Sequence, residues 1–181
     1  MASDARLLND RFEIDYALRQ MRGLVATHKD NKIGVQPIDA VFRPGRTWQF
    51  VACFSRARDQ LSQWRAYGRK VGIAIGFDRT HLTHAVEARR GHAIECRYLA
   101  PGEFAEIWAE LDPIVSALSA PGSLNSDGKL TNMALQDELS RRAALIASSI
   151  KHHSFAEERE VRWPRLSEQF FRVDKWRLCR G

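Results

Sequence analysis

The segment Lys151-His152-His153-Ser154-Phe155-Ala156-Glu157-Glu158-Arg159-Glu160-Val161-Arg162 concentrates side chains able to do chemistry. Read as a strand from Glu158, it places Glu158, Glu160 and Arg162 on one face and Arg159, Val161 and Trp163 on the other. Neighbouring carboxylates repel unless a cation lies between them or one takes up a proton, and such a face suits stabilisation of a cationic transition state. The same pattern also fits an exposed edge strand whose Glu and Arg side chains pair in solvent, each pair contributing little. Residue types alone leave both readings open.

A second group follows the apolar run Phe50 to Phe54. Ser55 stands at its end, where a buried scaffold fixes a side chain in place, and Gln63-Trp64-Arg65-Ala66-Tyr67-Gly68 comes shortly after. Trp64 could stack on a ring and Arg65 could clamp a phosphate; equally, Trp64 and Tyr67 have the spacing of core aromatics on a helix. His81 and His84, and the adjacent His152 and His153, lack a third ligand at metal-binding spacing, so no metal site is expected. Cys53 lies inside an apolar strand, where a thiol is inert rather than nucleophilic. Gly72 and Gly76 complete neither phosphate-binding glycine fingerprint.

These groups need positioning elements. Asp10 and Glu13 stand in capping-box spacing before Ile14, Leu18 and Met21, which predicts a helix over 11–22 ending at Gly23. The stretch 25–45 has no sustained period and reads as a loop. Phe50 to Phe54 and Val71 to Phe77 are continuous apolar runs, predicted as neighbouring central strands. Asp59 is placed to cap a short helix through Tyr67, and Asp78 one through about Arg89. Ile94, Cys96 and Tyr98 alternate as a half-exposed strand. Phe104 to Leu118 follows helical spacing around Pro113, residues 120–128 form a turn-rich connector, and Met133 to Ile150 carries a further helix. Strands and helices mix without strict βαβ alternation, so the class is α+β with a small, mostly antiparallel sheet and flanking helices.

At 181 residues and 20.7 kDa, the chain fits a single domain over 1–181 with one core. The formal charge of +6 comes from 28 basic residues, mostly arginine, which grips phosphate bidentately. That favours anionic partners through long-range attraction. The basic residues are dispersed in pairs such as Arg56/Arg58 and Arg141/Arg142, a pattern closer to a solvated surface than to a nucleic-acid module. No apolar run reaches the roughly 20 residues of a membrane span, and the charged residues among the first leucines give no support for a cleaved secretion signal, so none is expected. Three widely spaced cysteines, Cys53, Cys96 and Cys179, fit a reducing cytoplasm.

Three segments together resemble a bacterial family, domain of unknown function 2971. Leu8-Asn9-Asp10-Arg11-Phe12-Glu13 is similar to its N-terminal f-N-D-P-f-E element, with Arg11 in place of the proline. Ala52-Cys53-Phe54-Ser55, Leu61, Gln63-Trp64, Tyr67, Gly72 and Gly76-Phe77-Asp78 resemble its central signature. Lys151, Phe155, Glu158, Glu160 and Arg162 match its closing K … F-x-x-E-x-E-x-R. Members of that family usually open with a strand before the first element and continue past the last, so against that pattern the chain is expected to be a shortened homologue or a fragment without the first strand and the C-terminal strands. The order of elements in longer members is in turn similar to ADP-ribosyltransferase-like folds, which implies a shortened version of that fold here.

By that remoter resemblance the partner is a nucleotide or other phosphate-bearing ligand, with NAD as the substrate. Glu160 is then the catalytic carboxylate, Glu158 its acceptor-orienting neighbour, Ser55 a support for the nicotinamide pocket and Arg65 a diphosphate contact, with Tyr67, Lys151 and Arg162 completing the binding set. The function implied is NAD-dependent ADP-ribosyl transfer or NAD hydrolysis. Its rivals are a non-catalytic anion- or nucleic-acid-binding module of a defence or toxin system, and a degenerate, inactive homologue.

Overall fold

A computed structural model describes residues 3–4, 12–28, 33–43, 49–68, 72–88 and 93–166. The elements in chain order are β1 (Ser3–Asp4), α1 (Phe12–Thr27), α2 (Val35–Val41), β2 (Gln49–Ser55), α3 (Leu61–Gln63) running into a π-helical turn (Trp64–Gly68), and α4 (Arg79–Glu87). They continue with β3 (Ile94–Glu95), β4 (Arg97–Leu99), a 3-10 helix (Pro101–Ile107), α5 (Trp108–Ser119), α6 (Met133–Ser148), β5 (Ile150–His152), a second 3-10 helix (His153–Glu158) and β6 (Glu160–Leu166). The class is α+β.

One sheet has the order β1-β2-β6-β3 and is antiparallel throughout; β4 and β5 form a separate parallel pair. The expected strand from Phe50 is β2, and it lies inside the sheet. Its long neighbour is β6, with Cys53 opposite Arg162 and Ser55 opposite Glu160. The segment from Val71 does not fill that place. Residues 72–78 form no strand, and Ile73, Ile75 and Phe77 are exposed, while Val71 lies outside the described residues. Apolar continuity marked the segment as buried, but seven paired residues of β6 occupy one edge of β2 and β1 occupies part of the other.

The core is mainly helical. Ala17, Leu18, Met21 and Val25 of α1 pack with Ile38 and Val41 of α2, Ile107, Leu111, Ile114 and Leu118 around α5, and Leu139, Ala143 and Ala147 of α6. This explains two departures from expectation. Helix α1 runs through Gly23 to Thr27, because burying Val25 outweighs the roughly 1 kcal/mol helix cost of a glycine. The stretch expected as a loop contains α2, whose Pro37 sits in the first turn, where a missing N–H costs no helix bond.

The expected Asp78 cap holds, and Asn132 supplies a cap that the sequence reading did not assign. Asp78 accepts from His81 N–H at 2.9 Å at the start of α4, and Asn132 accepts from Ala134 N–H and Leu135 N–H at the start of α6. Asp59 does not cap α3; its carboxylate takes the Trp64 indole N–H at 2.6 Å, and Gln60 stands at the cap position. The predicted strand over Ile94 to Tyr98 is broken at Cys96, with β3 joining one sheet and β4 the other. Among the described residues no helix is long and apolar enough to cross a membrane.

Candidate functional site

The closing segment folds differently from a strand beginning at Glu158. The 3-10 helix ends at Glu158, Arg159 turns through a left-handed conformation (φ 45°, ψ 50°), and β6 starts only at Glu160. A left-handed residue bearing a side chain costs on the order of 1–3 kcal/mol, so its surroundings must hold it. They do so through β2. Ser55 Oγ donates to Glu158 O (2.8 Å) and Arg56 N–H donates to Arg159 O (3.0 Å). Ser55 therefore braces the turn that carries Glu158 and Arg159.

In spite of the turn, the expected carboxylates converge on one cation. Lys151 Nζ lies 2.7 Å from Glu160 Oε2, donates to Glu158 Oε2, and lies 2.7 Å from Glu13 Oε1, a residue 138 positions earlier in the chain. Arg162 completes the cluster. Its Nε donates to Glu160 Oε1 (2.8 Å), its Nη2 to Glu13 Oε2, and its Nη1 to Ser148 O (3.3 Å). Arg162 is 1% exposed, Lys151 3% and Glu160 8%, so this is neither an open catalytic face nor a solvent-exposed edge. Strand β6 is interior to its sheet, and helix α1 and strand β5 close over the charges. Glu13, read from the sequence as a capping residue, spends its carboxylate on Lys151 and Arg162.

Burial opposes the charge on Lys151, but the bonds to Glu158 and Glu160 outweigh it and hold the ammonium above its ordinary pKa. Lys151 Nζ also lies 5.1 Å from the centre of the Phe155 ring. Cys53 and Cys96 flank Glu160, and burial, reinforced by the Glu160 charge, pushes both thiols up. Cys53 as a residue is exposed on its strand, so solvent screens much of that effect, whereas Cys96 is half-buried. Neither is poised as a thiolate nucleophile.

Glu160 has one further neighbour, a pocket of about 370 Å3 lined by Arg56, Glu95, Cys96, Tyr98, Arg159 and Glu160. Tyr98 Oη accepts from Glu160 N–H (2.6 Å), which fixes the phenol at the wall. Arg56 and Arg79 both pair with Glu95, at 3.0 and 3.2 Å. The Arg159 guanidinium has no ion-pair or hydrogen-bond partner among the described residues. Two guanidinium groups and two carboxylates line the pocket, and Glu160 is already paired with Lys151 and Arg162.

The remaining predicted residues lie elsewhere. Arg65 belongs to an open depression of about 580 Å3 with Leu61, Ser62 and Glu157, beside the π-helical turn. Ser55, Arg65 and Glu160 thus do not line one cleft. Tyr67 is on the π turn, but its side chain lies outside the described residues. Trp64 packs against Gly68 and Gly72, and a Cβ on Gly72 would come 2.7 Å from the Trp64 ring, which accounts for glycine there. Sequence reasoning missed Glu13, Arg56, Glu95 and Arg159. Only Glu13 carried a signal, its place in the N-terminal motif; Arg159 was assigned to the opposite face by the period-2 reading. Among the described residues, no group of three or more His, Cys, Asp or Glu side chains could hold a metal.

No curated protein and no solved structure matches the chain. A sequence model of the family "Protein of unknown function (DUF2971)" does match, over residues 63–163, just over half of the chain. The matched stretch runs from the residue before Trp64 to the residue after Arg162, and so takes in the pocket apart from Arg56 and the cluster apart from Glu13. On that match, the chain belongs to the DUF2971 family.

Proposed function

We propose that this chain binds a phosphate-bearing ligand, a nucleotide in the sharpest form, in the pocket between Arg56 and Arg159, with Glu160 and Tyr98 at its inner wall. The observation that carries the reading is the Arg159 guanidinium, which has no partner among the described residues and stands at a pocket on a backbone held in a strained conformation. Strained residues collect where a side chain must be aimed, and guanidinium groups bind phosphate through paired N–H donors. A pocket of about 370 Å3 suits a sugar phosphate or part of a dinucleotide. In this reading the buried cluster is a fastening: Lys151 and Arg162 tie β5, β6 and α1 together behind the pocket wall.

Calorimetric titration with AMP, with adenosine as the phosphate-free control, tests the reading. AMP is expected to bind and adenosine not, and Arg159→Ala should weaken AMP by about tenfold, the loss of one charge-assisted contact. Failure of AMP to bind, or binding indifferent to Arg159→Ala, would sink it. Affinity for duplex nucleic acid that falls steeply with salt and ignores Arg159→Ala would instead favour the nucleic-acid rival.

One observation favours a catalytic reading as well: Glu160 reaches the pocket. NAD-dependent glycosyl transfer would use its charge to stabilise the cation that forms as nicotinamide leaves. Against it, both Glu160 oxygens are already engaged, one by Lys151 and one by Arg162, which neutralises much of the charge such a step needs. The test is nicotinamide release from NAD. Turnover in the wild type, lost by orders of magnitude in Glu160→Gln, establishes catalysis, and absence of turnover removes it.

A further inference from the structure

We infer that Glu95 is the pocket's resident anion, holding the place a ligand phosphate takes and competing with it. This rests on the phosphate-binding reading above and adds how the site is kept when empty. Glu95 lines the pocket and bridges two guanidinium groups, Oε2 on Arg56 Nη1 and Oε1 on Arg79 Nη2. One oxyanion oxygen on each of two arginines is the arrangement that a phosphate adopts between such groups. Its neighbours make the carboxylate easy to displace. Glu95 is half exposed, as is Arg56, and Arg79 is more exposed still. Pairs of that kind hold weakly and give way to a better anion.

Its position in the fold points the same way. Glu95 ends β3, a two-residue strand that, among the described residues, lies at the edge of its sheet and pairs with Arg162 and Val161 of β6. The Glu95 side chain is therefore free to swing outward while its backbone stays paired. Arg159, across the pocket, is the cation that Glu95 does not neutralise. An incoming phosphate gains Arg159 and inherits Arg56 from Glu95, so a dianionic phosphate monoester matches the released charge better than a monoanion does.

The experiment is AMP titration of the wild type, Glu95→Gln and Arg159→Ala, each first checked for unaltered thermal unfolding. Glu95→Gln keeps the size of the side chain and removes only the competing charge. It should bind AMP about three- to tenfold more tightly than the wild type, and that gain should shrink when Arg56→Ala is added. Equal affinity in wild type and Glu95→Gln overturns the competitor role while leaving the pocket reading intact, provided Arg159→Ala still weakens binding. Weaker binding by Glu95→Gln also overturns it, because Glu95 would then contact the ligand directly. Absence of binding in both wild type and Glu95→Gln removes the inference together with the pocket.

Discussion

Replacing Arg162 by alanine removes one of two cations that hold three carboxylates in the buried cluster. Among the described residues the cluster carries one negative charge in excess with Arg162 and Lys151 in place; without Arg162, Glu13, Glu158 and Glu160 are left with Lys151. Breaking a buried pair by deleting one partner costs about 3–5 kcal/mol, most of it the penalty of leaving charge uncompensated. For a chain of this length that corresponds to a fall of roughly 6–20 °C in Tm. Glu13→Gln should cost less, about 1–3 kcal/mol, because it keeps the shape and removes the excess charge. Glu158→Gln, at the most exposed of the three carboxylates, should cost under about 1 kcal/mol. Urea unfolding followed by circular dichroism, with the m-value constant across the series, measures all three. If Arg162→Ala loses less than about 1 kcal/mol, or Glu158→Gln loses more than Arg162→Ala, the cluster is not the fastening described here.

Further expectations concern pH and packing. Lys151 and the half-buried Cys96 both have folded pKa values above their unfolded ones. Each bound proton is therefore held more tightly in the folded state. Their contribution is full below the unfolded values and is lost as pH rises, first above about 8.5 for the thiol and then above about 10.4 for the amine. Tm measured from pH 7 to 10.5 should fall, with a shallower fall between pH 8.5 and 10 in Cys96→Ser; identical profiles would show that the thiol plays no part. Gly72→Ala should displace the Trp64 ring and change its fluorescence, because the added methyl group would overlap the ring by about an ångström. Unchanged Trp64 emission and stability would contradict that packing.

The buried cluster was largely legible because most of its residues sit in one segment, whereas of the pocket lining only Glu160 was, the rest depending on long-range partners. Glu158, Glu160 and Arg162 could be grouped from their spacing and Lys151 added from the family's closing motif, and the four do meet. Period 2 could not show the left-handed Arg159, which ends the 3-10 helix and separates Glu158 from the strand, because the residue there is an arginine and not the glycine that usually signals such a turn. Glu13 was beyond reach for another reason. Capping-box spacing gave its carboxylate a sufficient local role, and only the packing of α1 against β5 brings it to Lys151. The Val71 to Phe77 run was misplaced because apolar content predicts burial, while a strand also needs a free edge to pair with. Strand β2 was placed inside the sheet correctly because it finds partners on both edges, although of residues 50–55 only Val51 is buried.

The claim that a phosphate-bearing ligand occupies the pocket at Glu160 is tested most directly by mapping amide chemical-shift changes in isotopically labelled protein during AMP titration. The account predicts shifts centred on Arg56, Glu95, Cys96, Arg159 and Glu160, saturating with AMP and absent with adenosine. Shifts centred instead on Leu61, Ser62, Arg65 and Glu157, or scattered over basic surface residues without saturation, would contradict it.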